Sequence, residues 1–354
     1  MAIFKGKNLS LEIYGESHAE KIGVKVVNMP KFDYDFEKLN LFLNRRKPSS
    51  SVFSTSRKED DKPVISIEEN KNFINLTCDI YNHNKKSNDY DNLYAKPRPS
   101  HADYSSFLKD GTLDFSGGGR FSGRLTAPLC VVGGLLKQYL KSLGIEIQGY
   151  VSSVGEINAK SYKNSDISLS DIVNDRDIGD FPSLDKKQEI LSLISSAKKD
   201  GDSVGGTVEC IVFNMKKGVG NDLFEGLEGK ISSLIYSIPA VKGVEFGLGF
   251  DLSKMFGSKS NDALYFKDDK VKFKTNNSGG INGGISNGEN MTIRVAIKPT
   301  PSISKEQDTV DLINKTNCKI VIGGRHDACI VPRAIPCIES AIAIAIVDEI
   351  IGEL

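Results

Sequence analysis

Residues 334–351, AIPCIESAIAIAIVDEII, are apolar on most sides of a helix and decide the fold. A helix that is apolar nearly all round is buried, so this stretch predicts a C-terminal helix inside the molecule. Residues 127–143, APLCVVGGLLKQYLKSL, have the same character apart from Lys137, Gln138 and Lys141. The pair Gly133-Gly134 lowers helix propensity, and close packing against a neighbour is a physical reason to keep it.

Strand patterns surround these two helices. Strands are predicted at residues 22–27, 64–67, 73–80, 145–154, 207–213, 244–248 and 291–297, and further helices at 35–44, 184–199 and 223–237. Strands mixed with a few buried helices predict the α+β class. No repeat, long charge block or Pro-rich linker divides the chain, so residues 1–354 are expected to form a single domain.

Composition excludes several classes of protein. The chain has 354 residues, with 46 basic and 46 acidic side chains and no net charge. This balance argues against binding a nucleic-acid backbone over the whole surface, although it leaves room for a local basic pocket. No run of about 18 apolar residues predicts a membrane span. The first ten residues lack the apolar core of a signal peptide, so a cytoplasmic protein is expected.

The six cysteines form no CxxC pair, which favours reduced, mostly buried thiols and gives no metal site. Arginine is more informative, because the chain has 36 Lys but only 10 Arg. Eight of the ten arginines fall in four short segments rich in Gly, Ser or His. Arginine is needed where a planar fork holds a carboxylate or phosphate, so the clusters favour an anion site. Internal salt bridges are the alternative interpretation.

Four loop segments combine these arginines with groups that can transfer a proton: residues 14–18, 96–103, 117–124 and 323–329. They contain three of the four histidines, namely His18, His101 and His326. Histidine exchanges protons near neutral pH, and a Gly-rich segment before a helix can bind an anion. Each segment alone is also consistent with a solvated histidine or a tight turn. Together they indicate one shared site for an anionic small molecule.

Several of these segments, taken with others, resemble the chorismate synthase family. The resemblance rests on nine segments in the family's order: 15–18 (GESH), 44–48 (NRRKP), 98–104 (RPSHADY), 117–120 (GGGR), 201–206 (GDSVGG), 240–245 (AVKGVE), 279–286 (GGINGGIS), 298–300 (KPT) and 324–327 (GRHD). It implies a β-α-β sandwich, with helices between two antiparallel sheets, and a homotetramer. It also implies a lyase that eliminates phosphate from 5-enolpyruvylshikimate 3-phosphate, the last step of the shikimate pathway, and requires reduced FMN.

The resemblance also implies a role for individual residues. His18 is expected to act as general acid at the substrate phosphate, His101 to protonate the reduced cofactor, and Asp327 to remove the ring proton with the flavin. The implied substrate ligands are Ser17, Arg46, Arg98, Arg124 and Arg325. The implied FMN ligands are Arg120, Phe121, Ser122, Ala240, Gly283, Lys298, Pro299, Thr300, Pro301, Ser302 and Arg325.

Four positions depart from the family pattern: Ala19, Val52, Phe121 and Pro239. Val52 replaces an Arg associated with NADPH, so an external source of reduced flavin is expected. Phe121 and Pro239 alter the expected flavin contacts. Two other functions stay open: a redox flavoprotein acting on an anionic phosphorylated metabolite, and a non-catalytic binder of a phosphometabolite or RNA. The RNA alternative lacks the basic stripe with interleaved aromatic residues that such binding uses.

Overall fold

The computed structural model describes residues 1–17, 19–47, 61–82, 93–115, 117–162, 168–172, 185–323 and 326–353. His18, Arg325 and Val52, all singled out in the sequence, lie outside the described residues. The fourth histidine, His83, also lies outside the described residues.

Helices are interspersed among groups of consecutive strands along the chain. The helices are α1 (Phe36–Asn44), α2 (Asp103–Asp110), α3 (Thr126–Ser142), α4 (Lys187–Lys199), α5 (Leu227–Tyr236), α6 (Gly257–Ser260) and α7 (Val331–Ile350). The strands are β1 (Ala2–Lys5), β2 (Ser10–Gly15), β3 (Lys21–Pro30), β4 (Val64–Glu69), β5 (Phe73–Tyr81), β6 (Glu146–Val154), β7 (Ile157–Asn158), β8 (Gly206–Phe213), β9 (Val241–Phe246), β10 (Leu264–Lys267), β11 (Lys270–Phe273), β12 (Ile281–Asn282), β13 (Ile285–Ser286), β14 (Met291–Ile297), β15 (Gln307–Asp311) and β16 (Thr316–Ile320).

Two five-stranded antiparallel sheets form the outer layers. The first has the order β1-β2-β3-β5-β4, and the second has the order β7-β6-β8-β14-β9. In β5 every second residue is buried, because successive side chains of a strand point to opposite faces. Strand β9 begins three residues before the predicted 244. Strand β2 extends through Gly15, so the segment 14–18 begins in a strand and is not wholly a loop.

The two apolar helices lie between the sheets. Helix α3 packs on α7 and on β3 and β5 of the first sheet, and α7 packs on β6 and β8 of the second. The predicted α+β class and β-α-β sandwich are confirmed. The close packing expected at Gly133 is also confirmed, because a Cβ there would lie 2.1 Å from the Cβ of Ser340 in α7. A side chain at position 133 would therefore push the two central helices apart.

Local interactions determine where two of the helices begin. The Asp35 carboxylate caps α1 by accepting hydrogen bonds from the backbone N–H groups of Glu37 and Lys38, at 2.9 and 3.0 Å. Helix α7 begins at Val331 rather than at the predicted 334, with a proline in its first turn, where the missing N–H costs nothing. This earlier start places Arg333 inside the helix, at the edge of the cavity described below.

A buried carboxylate joins the middle of the sandwich. Glu339 of α7 is fully buried and accepts hydrogen bonds from both terminal nitrogens of Arg45, at 2.9 and 3.0 Å. It also accepts from the backbone N–H of Gly149, at 2.8 Å, and from Lys137. The end of α1, helices α3 and α7, and strand β6 are therefore joined through one side chain.

All six cysteines are free thiols, five of them buried, as expected. Within the described part of the chain, no helix has the length and apolar character required to cross a bilayer. Among the same residues, no group of three or more His, Cys, Asp or Glu side chains is arranged to hold a metal ion.

Candidate active site

A cavity of about 760 Å³ opens where the starts of α3 and α7 meet the ends of α1 and β14. Its volume lies within the range of roughly 300–1,000 Å³ that small-molecule and cofactor sites occupy. Its lining includes twelve residues that the sequence assigned to the site: Arg46, His101, Arg120, Phe121, Ser122, Arg124, Ala240, Lys298, Thr300, Pro301, Ser302 and Asp327. Residues from six separate segments of the chain thus line one cavity.

Four described residues assigned to the site are not on the cavity lining. Ser17 is buried beside the Gly-rich loop at residues 117–119. Its backbone N–H donates to the Gly119 carbonyl oxygen at 3.3 Å. Pro299 lies against Gly205. Gly283 is an exposed residue of the β12–β13 turn with φ of 60°. The structure does not bring Gly283 to this cavity.

The fourth, Arg98, is buried behind the cavity wall instead of on it. Its Nε and Nη2 donate to the two carboxylate oxygens of Asp103, at 2.7 and 2.8 Å. Its Nη2 also donates to the backbone carbonyls of Phe115, at 3.2 Å, and Gly117, at 2.6 Å. In this arrangement Arg98 supports the loop that carries His101 and the Gly-rich loop at residues 117–119.

The ion pair between Arg98 and Asp103 also holds His101 in place. Its Nδ1 lies in hydrogen-bond contact with Asp103 Oδ1, and Arg98 Nη2 is 3.2 Å away from the same nitrogen. Burial raises the pKa of the Asp103 carboxyl, but hydrogen bonds from Arg98 and His101 outweigh it and hold the pKa at about 2. Because an ionised carboxylate only accepts, His101 Nδ1 carries the proton, and Nε2 is the nitrogen that can exchange one with a ligand.

A second buried carboxylate lies between two arginines of the cavity wall. Asp61 accepts from Arg46 through Oδ2 and from Arg124 through Oδ1. The side chains are only 2% (Asp61) and 5% (each arginine) exposed. Arg124 is also fixed by its Nε, which donates to Asn82 Oδ1 at 2.9 Å. Its backbone N–H donates to Ser122 Oγ at 3.2 Å, which caps the turn leading into α3.

Asp327 is held by an arginine that the sequence counted among the clusters but gave no role. Arg333 Nη1 donates to Asp327 Oδ2, and Arg333 Nε donates to the Arg46 carbonyl oxygen at 2.9 Å. One guanidinium therefore joins the carboxylate to the backbone of a predicted substrate ligand. Arg333, Asp61 and Asp103 are the functional positions that sequence reasoning missed; the arginine clustering was a signal for Arg333.

The lining is strongly cationic. Among the described lining residues, six are cationic and one is a carboxylate: Arg46, Arg120, Arg124, Lys242, Lys298 and Arg333 against Asp327. Burial and the nearby charge of Lys242 lower the pKa of Lys298. Lys298 donates to the Ser100 carbonyl oxygen. A cavity of this charge selects a ligand with several negative groups.

The lining also offers groups suited to a flavin nucleotide. Among the residues that the structure describes, the buried Thr300 hydroxyl oxygen on the cavity wall has no hydrogen-bond partner, and a buried polar atom of this kind calls for a ligand. Ala240 has a φ of 73°, a strained conformation at a cavity wall of the kind found at ligand sites. Apolar surface from Phe121, Ile238 and Val241 stands beside the lysines. These residues fit a planar ring bearing a phosphate.

A smaller cavity of about 320 Å³ lies on the other side of the Gly-rich loop. Arg120 and Phe121 line both cavities, and the Arg120 guanidinium lies 5.0 Å from the Phe121 ring centre. Arg120 also donates to Asp110, on the side of the smaller cavity. The turn at residues 119–121 thus separates a basic cavity from one whose lining includes four acidic residues, Glu16, Asp103, Asp110 and Asp114.

The fold encloses a basic cavity of the size that small polyanionic ligands occupy, with an imidazole and a carboxylate on its lining. The family model for chorismate synthase matches residues 9–351. The chain belongs to the chorismate synthase family. The membership expected from the sequence is confirmed, and with it the expected class of enzyme, a lyase.

Chorismate synthases of other organisms are similar to this chain over nearly its whole length. The chain is 40% identical over 348 residues to chorismate synthase of Dehalococcoides mccartyi (strain BAV1), which covers 97% of this chain and 95% of that protein. It is 42% identical over 360 residues to chorismate synthase of Methanococcus maripaludis (strain C5), covering 98% and 96%. A crystal structure of chorismate synthase matches with a TM-score of 0.73 and 25% identity, over 99% and 94% of the two chains.

Proposed function

We propose that this protein converts 5-enolpyruvylshikimate 3-phosphate to chorismate by anti-1,4-elimination of phosphate, with reduced FMN bound in the basic cavity. The observation that carries the proposal is the meeting of six cationic side chains with His101 and Asp327 on one cavity of cofactor size. The substrate has one phosphate and two carboxylates, so its charge matches that lining.

The arginines bind the substrate and stabilise the leaving phosphate. Arg46 and Arg124 come from different elements and converge on one carboxylate, so their guanidinium groups lie close together at the cavity wall. Paired guanidiniums can hold a phosphate through several charge-assisted hydrogen bonds. Such donors stabilise charge that develops as the bond breaks. We assign Ser17 and Arg325 to the same anion, and His18 to donate the proton as phosphate departs.

Residues 120–122, Ala240 and residues 298–302 would hold the cofactor, and the lysines would supply positive charge suited to its phosphate. When bound, reduced flavin supplies the electron density that assists cleavage of the carbon–oxygen bond. The protein's part is to orient the ring and to exclude water. Gly283 stays an assigned contact, although it lies away from the cavity of the single chain.

Two side chains are assigned to proton transfer, one at the substrate ring and one at the cofactor. Asp327 accepts the ring proton, and its ion pair with Arg333 fixes the carboxylate in place. His101 would protonate the reduced cofactor from Nε2 in its doubly protonated form, because the Asp103 carboxylate holds the proton on Nδ1. Arg98 acts behind them by holding Asp103, which is a change from the direct substrate contact that the family pattern implied.

The wider setting is part of the same proposal. Residues 1–354 act as a single domain, and the working assembly is a homotetramer in the cytoplasm. Reduced FMN comes from an external source, because Val52 stands where an NADPH-associated Arg is usual. No nucleic acid and no membrane takes part.

The test is an anaerobic assay with purified protein, 5-enolpyruvylshikimate 3-phosphate and chemically reduced FMN. Chorismate and phosphate should appear in equal amounts, without net oxidation of the flavin and without product when FMN is oxidised. In a parallel reaction with NAD(P)H added, stoichiometric consumption of NAD(P)H with product would support the redox alternative. Ligand binding without any product, under every flavin condition, would support the non-catalytic binder.

A further inference from the structure

The carboxylate of Asp61 occupies a place that the reaction itself does not explain. It is buried between a guanidinium from the end of α1 and another from the turn before α3, and both guanidiniums line the cavity. Its side chain is 2% exposed. A negative group at this position lowers the attraction of the cavity for an anionic ligand, so its presence needs a compensating reason.

The reason lies in how the carboxylate arranges the two guanidinium groups beside it. Two buried guanidinium groups repel each other when nothing lies between them, and each would turn away from the other. Asp61 offers one oxygen to each, which holds the two side chains in converging positions. Burial raises the pKa of Asp61, but the charges of Arg46 and Arg124 outweigh it and keep the pKa below its ordinary value. The carboxylate is therefore ionised at neutral pH.

We propose that Asp61 is a positioning residue for anion binding: it holds Arg46 and Arg124 so that both contact the same anionic group of the ligand. The identity of that anion as the substrate phosphate rests on the proposed function. The positioning role itself requires only that the cavity binds phosphate. Asp61 acts through the arginines and touches no reacting atom.

The substitution Asp61→Asn distinguishes a positioning role from simple electrostatics, because the two predict opposite changes in the affinity for an anion. Asparagine removes one negative charge, so electrostatics alone predicts tighter anion binding. Its amide group accepts from one guanidinium but presents a donor to the other, so one arginine loses its hydrogen bond to this side chain. Positioning therefore predicts weaker binding, by about 10-fold or more, in spite of the gained positive charge.

The measurement is the Kd of inorganic phosphate by titration calorimetry, with oxidised FMN saturating in every sample so that the cofactor's own phosphate contacts are filled. Asp110→Asn is the matched control, because it removes the same charge from another carboxylate that pairs with a cavity arginine, Arg120. That pair is partly exposed, so its loss should change the phosphate Kd by no more than about twofold. Turnover measured alongside should show a higher KM for Asp61→Asn, because the same arginines bind the substrate.

Phosphate binding to Asp61→Asn that equals or exceeds that of wild type would overturn the proposal, and so would equal weakening in Asp110→Asn. Should Asp61→Asn fail to fold, Asp61→Glu decides, because it keeps the charge but displaces the carboxylate by one methylene. Positioning predicts an affinity lower by about threefold or more, and an unchanged affinity contradicts it. A wild-type protein that binds phosphate but makes no chorismate would refute the proposed function and leave this inference standing.

Discussion

Arg45 and Arg46 are neighbours at the end of α1, yet their charges serve different parts of the molecule. Arg45 pairs with Glu339, whose carboxylate also accepts from Lys137 and a backbone N–H in the middle of the sandwich. Arg46 pairs with Asp61, which accepts a second cavity-lining guanidinium. Both pairs contain a buried carboxylate, and the difference lies in what else that carboxylate touches. One cluster joins core elements, and the other shapes a binding wall.

The largest effect is expected on the cavity side, from Asp327→Asn. The amide cannot accept the ring proton, so kcat should fall by about 10³-fold. The fold should be retained, because the amide oxygen can still accept from Arg333. Turnover with reduced FMN and thermal unfolding would be measured on the same preparation. A variant with near-normal turnover would remove Asp327 from the proton-transfer step.

The matching change on the core side is Glu339→Gln, which leaves Arg45 and Lys137 without their negative partner. Breaking a buried ion pair in this way should lower the free energy of unfolding by about 3 kcal/mol. Phosphate binding by the folded protein should stay as in wild type. Glu69→Gln, in the exposed pair with Lys31, is the control and should leave the unfolding curve unchanged. Loss of phosphate binding without loss of stability would contradict the structural role of Glu339.

A smaller effect, dependent on pH, is expected at Asp103. Its pKa falls from the ordinary value to about 2 in the folded state, so its ionised form stabilises the fold above pH 4 by about 2 kcal/mol. That stability is lost as the pH falls from about 4 towards 2, because the carboxyl then becomes protonated. The difference in unfolding free energy between wild type and Asp103→Asn should shrink over the same range. Parallel curves for the two proteins would show that Asp103 is not held ionised by Arg98.

The sequence predicted the elements that have a one-sided or fully apolar pattern. Residues 127–143 and 334–351 form the two central helices within three residues of their predicted ends, because burial on most sides leaves a continuous apolar run. Strands β10 and β11 form an exposed hairpin in which nearly every residue is exposed, so no buried face marked them in the sequence. The predicted helix at 223–237 is a short 3₁₀ turn followed by α5, separated at Gly226.

The site was predictable in its cations but not in their carboxylate partners. Clustered arginines indicated an anion site, and the family resemblance selected Arg46. Nothing in the sequence alone distinguishes Arg46 from Arg45, because the direction of each side chain depends on where α1 ends against its neighbours. Asp61 is 63 residues from Arg124 in the chain. Such a contact depends on the packing of the sheets and helices, which a local pattern does not contain.

The most direct test of this account compares Arg46→Gln with Arg45→Gln in anaerobic turnover with reduced FMN, at a temperature where both proteins are folded. Arg46→Gln should lose about 10²-fold in kcat, because a donor to the departing phosphate is missing. Arg45→Gln should stay within about threefold of wild type, with its loss seen in unfolding instead. Equal losses of turnover in the two variants would contradict the division between a core cluster and a binding wall.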